Sequence, residues 1–132
     1  MIYIYTAVFT PIGDGSYYAR VPDLPGCVTT GKSLADAIDQ ITDAMNAWLV
    51  VAEDEGLEIA SPTPQEQMER APGTVCSVIK ADTLSYRTQT DTRATRKNVS
   101  LPIWMSQMAD KQGINCSQLL QEALRKKLER YV

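Results

Sequence analysis

The chain changes its hydrophobic period several times, and each change marks an element. Residues 1–10 are dense in Ile, Tyr, Val and Phe, which predicts a strand. Pro11-Ile12-Gly13-Asp14-Gly15 is a turn cluster, and residues 16–21 predict a second strand that returns as a hairpin. Two prolines make Pro22-Asp23-Leu24-Pro25-Gly26 a rigid corner, and Cys27-Val28-Thr29-Thr30 a short third strand that Gly31-Lys32 breaks. The period then becomes helical. Leu34, Ala37, Ile38, Ile41, Met45, Trp48 and Ala52 form one buried stripe, with Asp36, Asp39 and Asp43 on the other side. Ser33, with Asp36 three residues on, is the predicted N-cap, and Gly56 ends the helix after Glu55.

Ser61-Pro62-Thr63-Pro64 can be neither helical nor paired, so it is read as a surface connection. Residues 74–80 predict a fourth strand. The polar, Thr-rich run 82–94 is expected to be a flexible linker. Beyond it, Arg96-Lys97-Asn98-Val99-Ser100-Leu101 reads as a strand, with Arg96, Asn98 and Ser100 on one face and Lys97, Val99 and Leu101 on the other. Pro102 stops that strand and opens a helix to about Gln112, in which Trp104, Met105, Met108 and Ala109 are available for burial. Gly113-Ile114 turns the chain, and Asn115, with Gln118 three residues on, caps a last helix striped by Leu120, Ala123, Leu124 and Leu128.

These elements make an α+β protein: a βββαβ domain over residues 1–81, the linker 82–94, and a β-α-α module over residues 95–132. A chain of 132 residues, 44% hydrophobic and 22% charged, suits a soluble globular protein with a small appended module. The net charge of −3 conceals an asymmetry. Residues 95–132 carry seven basic and three acidic side chains, leaving six basic and 13 acidic for residues 1–94. An acidic body with a basic tail suggests two partners of opposite charge, although Arg125, Lys126, Lys127 and Arg130 also complement a helix C-terminus.

Cys27, Cys76 and Cys116 are far apart, no C-x-x-C pair occurs and histidine is absent, so no zinc site and no cofactor are expected. Residues 1–10 hold no carboxylate for a metal-dependent nuclease, and no Gly-rich phosphate loop or G-x-S-x-G elbow occurs. Catalysis is therefore not expected. The chain shows no basic leader and no apolar run near the ~18 residues of a membrane span, so a cytoplasmic location is expected.

The strand–helix–helix stretch over residues 95–131 resembles the ribbon-helix-helix DNA-binding module. That resemblance implies a homodimer whose two strands pair as an antiparallel ribbon in the major groove. Arg96, Asn98 and Ser100 then match the outward base-reading positions: Arg favours guanine, Asn adenine, and Ser is permissive. Asn115, Cys116 and Ser117, at the start of the last helix, would hold a DNA phosphate on backbone N–H groups. A lone strand cannot pair its own edge, so a second chain is required.

The run Val21-Pro22-Asp23-Leu24-Pro25-Gly26-Cys27, then Gly31 and a helix opening on Leu34-Ala35-Asp36-Ala37, is similar to the signature of the HicB antitoxin family. The similarity implies a partial ribonuclease-H-like N-terminal domain that binds and blocks a small basic HicA-type ribonuclease toxin. With the ribbon-helix-helix tail it also implies repression of the operon at operator double-stranded DNA. The acidic Asp36, Asp39 and Asp43 face and Glu53-Asp54-Glu55 would suit a basic partner, with individual toxin contacts left unassigned. Two alternatives stay open at this level: a ribbon-helix-helix repressor whose body senses a small molecule, and a degenerate nuclease.

Overall fold

The computed structural model of the chain describes residues 1–68 and 71–129. Arg130 and Tyr131, counted above with the basic tail and the strand–helix–helix stretch, lie outside the described residues.

Strand β1 (Ile2–Pro11) is the spine of a four-stranded antiparallel sheet. Its second half pairs with β2 (Tyr17–Arg20), from Val8 opposite Arg20 to Pro11 opposite Tyr17. Strand β3 (Val28–Gly31) extends the sheet beyond β2. Along the other edge of β1 runs β4 (Val75–Asp82), in register from Ile2 opposite Asp82 to Phe9 opposite Val75. The order is therefore β3-β2-β1-β4. Alternation along β1 sends Tyr3, Tyr5, Ala7 and Phe9 to one face. There they meet Ala37, Ile41, Met45 and Leu49 of helix α1 (Leu34–Glu55), each of the eight at most 1% exposed. Each large side chain so buried stabilises the fold by roughly 1.5–3 kcal/mol.

Helix α1 begins and ends where its caps dictate. The Ser33 hydroxyl accepts the Asp36 N–H, and the Asp36 carboxylate accepts the Lys32 N–H. At the other end Gly56 takes φ 66°, and the Leu57 N–H reaches back to the Ala52 carbonyl, a geometry glycine adopts without strain. Gly31 has a different job. A Cβ there would lie 2.3 Å from the Ala37 backbone nitrogen, so only glycine lets the first turn of α1 sit against β3. The buried stripe differs from expectation in detail. Leu49 and Asn46 are buried, whereas Leu34, Ile38 and Trp48 are only half-buried at its margins.

The expected linker needs correction. Its first part is helix α2 (Thr83–Thr90), capped by the Asp82 carboxylate, which accepts the Ser85 N–H. Thr83 is buried, and α2 docks against α1. Its helical form comes from that docking, since an isolated eight-residue helix is marginal in water. Between α2 and the next helix, residues 91–102 have no regular structure. After them come α3 (Ile103–Lys111) and α4 (Cys116–Leu128). Pro102 is the N-cap of α3, one position earlier than the first helical residue it was expected to be.

Candidate nucleic-acid interface

The tail leaves most of its large apolar side chains exposed. Gly113, at φ 66°, lets the chain reverse after α3, and the Ile114 N–H closes on the Ala109 carbonyl. The Asn115 side-chain oxygen accepts the Gln118 N–H at 3.1 Å, as the cap spacing predicted. Cys116 and Ser117 thus occupy the first turn of α4, where helical geometry leaves backbone N–H groups without an intrahelical acceptor. Neither helix has a buried residue. Trp104 is 60% exposed and Val99 58%, and Leu101, Ile103, Met105, Met108 and Leu119 are exposed with them.

Between the run before α3 and the two helices lies an open cavity of about 590 Å³. Lys97, Val99 and Leu101 line it together with Trp104, Met105, Met108, Leu120 and Ala123. Arg96, Asn98 and Ser100 do not line it, and all three are exposed. The alternation read from the sequence thus survives in which side chains meet the helices. Residues 96–101 form no hydrogen-bonded strand in the single chain. The physical reason is direct: no other described segment of the chain lies alongside this run to take up its N–H and C=O groups.

The body contributes two polar assemblies. In the first, the Asp23 carboxylate of the double-proline corner accepts the Thr63 N–H at 2.9 Å and the Thr63 hydroxyl at 2.6 Å. The Trp48 indole N–H donates to the Pro25 carbonyl, and the Tyr5 hydroxyl donates to the Ala60 carbonyl. Ser61-Pro62-Thr63-Pro64 is therefore fastened to the corner. Cys27, which follows that corner, has its thiol pushed up to about 11 by burial.

The second assembly centres on Glu53. Its carboxylate accepts from the Tyr3 hydroxyl at 2.7 Å, the Thr83 hydroxyl at 3.0 Å and the Arg87 guanidinium at 3.2 Å. Arg87 also reaches Asp54 at 2.9 Å. Burial, and then the hydrogen bond to Glu53, pushes the Tyr3 phenol well above its ordinary value. These contacts thin out the acidic surface expected for a basic partner. Asp36 is spent on the helix cap, and Glu53 and Asp54 pair with Arg87, although Asp54 stays exposed, as Asp39, Asp43 and Glu55 are. The caps and partners that absorb these carboxylates are partly remote in sequence, so periodicity alone treated all six alike.

Among the described residues, no group of three or more His, Cys, Asp and Glu could hold a metal ion. No described helix is long and apolar enough to cross a membrane.

A family model described as "HicB_like antitoxin of bacterial toxin-antitoxin system" matches residues 5–123. The curated relatives are short proteins. The "UPF0150 protein Ta0767" of Thermoplasma acidophilum is 42% identical over 45 residues, 34% of this chain and 65% of that protein. A UPF0150 protein of Archaeoglobus fulgidus is 42% identical over 38 residues, 29% of this chain and 55% of that protein. The chain thus spans less than two thirds of either relative's length. Among solved structures, the "Toxin-Antitoxin complex from Streptococcus pneumoniae" superposes at TM-score 0.60 and 18% identity, covering 96% of this chain and 99% of that one. The antitoxin HicB of Burkholderia pseudomallei gives TM-score 0.54 at 21% identity, with 96% and 98% covered. At these identities the likeness is one of fold.

Proposed function

The chain belongs to the HicB-like antitoxin family of bacterial toxin-antitoxin systems, and from that premise we propose that it neutralises a small HicA-type ribonuclease toxin and represses its own operon. The body, a partial ribonuclease-H-like sheet with α1 on one face, is the toxin-binding part. It acts by occlusion and has no catalysis of its own. The tail is a ribbon-helix-helix that dimerises and reads operator DNA. Arg96, Asn98 and Ser100 contact base edges, and the first-turn N–H groups of α4, at Cys116 and Ser117 beside the Asn115 cap, hold a phosphate.

The observation that carries this reading is the half-built core of the tail. Val99 and Leu101 point with Trp104, Met105 and Met108 into a cavity that a single chain leaves open. A second copy closes it while pairing the two 96–101 runs, which satisfies both the apolar surface and the backbone groups. Closing it also leaves Arg96, Asn98 and Ser100 together on the outer side of the ribbon. Titration of the full-length protein against operator DNA from its own promoter tests the reading. Specific binding is expected with one dimer per site, and binding by monomers would refute it.

The small-molecule alternative finds less support. The cavity beside Glu53 and Arg87, about 670 Å³, has its carboxylate, guanidinium and hydroxyls already satisfied by one another. A ligand there would have to break those contacts.

A further inference from the structure

The segment read as a loose link is held down at two points. The Thr83 hydroxyl lies within 3.1 Å of the Met1 carbonyl and 3.0 Å of Glu53, and Thr83 is buried. One turn later, the Arg87 guanidinium bridges Glu53 and Asp54 and touches the Val50 carbonyl at 3.4 Å. Little else holds α2. Its run Thr-Leu-Ser-Tyr-Arg-Thr-Gln-Thr offers only Leu84 and Tyr86 as sizeable apolar side chains, and both are half-buried. An eight-residue helix of this composition does not persist by itself. Partly exposed ion pairs are individually weak, so α2 can detach locally while the rest of the body stays folded. Leu84 and Arg87 line the same cavity as Leu128 from the last turn of α4, so α2 lies where body and tail meet.

We infer that α2 is a strap, fastened by Arg87 onto Glu53 and Asp54, that sets how far the tail stands from the body. With the strap fastened, the free joint between α2 and the DNA-reading run at 96–101 is residues 91–95, a reach of at most about 17 Å. With the strap released, residues 83–95 become the joint and the reach grows to about 45 Å. The short joint keeps each body close to the DNA-bound tail. The long one lets it swing away and lowers the effective concentration of any second contact the body makes. The consequence for DNA rests on the proposed function, but the strap itself does not.

Hydrogen exchange and small-angle X-ray scattering on the full-length protein, without DNA, test the strap. Arg87→Met keeps the aliphatic stem and removes the charge, whereas Arg87→Lys keeps a cation within reach. The amides of residues 86–90 are expected to lose protection about tenfold or more in Arg87→Met, while α1 and β1 exchange as in the wild type. The maximum dimension should rise in the same variant, and Arg87→Lys should stay close to wild type in both measurements. Unchanged α2 protection in Arg87→Met overturns the strap. So does equal loss in Arg87→Lys, which would make packing rather than charge the fastening. Loss of α1 protection together with α2 would overturn it too, because the release would no longer be local. Failure of operator binding would sink the proposed function without moving any of these readings.

Discussion

The Asp23 carboxylate takes both the backbone N–H and the hydroxyl of Thr63, forty positions further along the chain. This contact gives the double-proline corner a purpose beyond turning the chain: it locks down the segment leaving α1. Hydrogen bonds to a charged acceptor are each worth roughly 1.5–3 kcal/mol when lost. Asp23→Ala should therefore lower unfolding stability by about 2–4 kcal/mol in urea titration. Thr63→Val, which keeps the N–H donor, should cost about half as much. Equal losses in the two variants would mean that the backbone contact contributes nothing.

Gly31→Ala is expected to be severely destabilising despite adding one methyl group. The new Cβ would overlap the Ala37 backbone nitrogen, and backbone cannot step aside as a flexible side chain can. Overpacking of this kind costs about 1–3 kcal/mol or more. A melting temperature unchanged by the substitution would show that the first turn of α1 can lift from β3.

Alkaline pH should weaken the fold through Cys27. Its pKa is raised from 9.0 to about 11 by burial, so between these values the unfolded chain loses the proton first. Stability is then whole below about pH 9 and falls as pH rises toward 11, by an amount on the order of 2 kcal/mol. Tyr3, whose phenol is also pushed up, adds to the decline at the alkaline end. Denaturant titrations between pH 8 and 10 should show a shallower slope in Cys27→Ala, before Tyr3 contributes. Slopes identical to wild type would remove Cys27 from the account.

Where the body ends is testable by truncation. A fragment of residues 1–82 keeps the four strands and α1 but removes the Thr83 and Arg87 partners of Glu53. A fragment of residues 1–90 keeps both. The longer one should be more stable by about 2–4 kcal/mol, because Glu53 is largely buried and would otherwise keep only the Tyr3 hydroxyl. Matching stabilities would return α2 to the role of linker.

That last boundary shows where sequence reasoning reached its limit. Helix α1 was legible because its signals are local: Ser33 and Asp36 at one end, Gly56 at the other, and a stripe at helical spacing between. The strands were legible from alternation and turn residues, to within two residues at their ends. Helix α2 was not legible. Its eight residues have weak helix propensity, and the groups that hold it are Met1, Glu53 and Asp54, far away in sequence. The same remoteness made Glu53 and Asp54 look like free acids for a basic partner. In the tail, the alternation of 96–101 was legible, but the strand expected there does not form, because no other described segment of the chain lies alongside it to pair.

The base-reading assignment makes a graded prediction. Arg96→Ala and Asn98→Ala should each weaken specific operator binding by roughly 1–3 kcal/mol, and Ser100→Ala by less. Salt-sensitive non-specific binding should survive in all three. Val99→Asp should act differently, destroying the tail by placing a charge in the closed core. Fluorescence anisotropy on specific and scrambled duplexes would check this. An Arg96→Ala protein with undiminished discrimination would displace the assignment.

If one chain neutralises a toxin with its body and reads DNA with its tail, both activities can be scored in the same cells. Wild-type protein and Arg96→Ala would each be co-expressed with the product of the reading frame flanking the gene, with growth rescue and a promoter reporter read together. The account predicts equal rescue by both proteins and repression by the wild type alone. Loss of rescue in a folded Arg96→Ala protein, or rescue by neither, would contradict it.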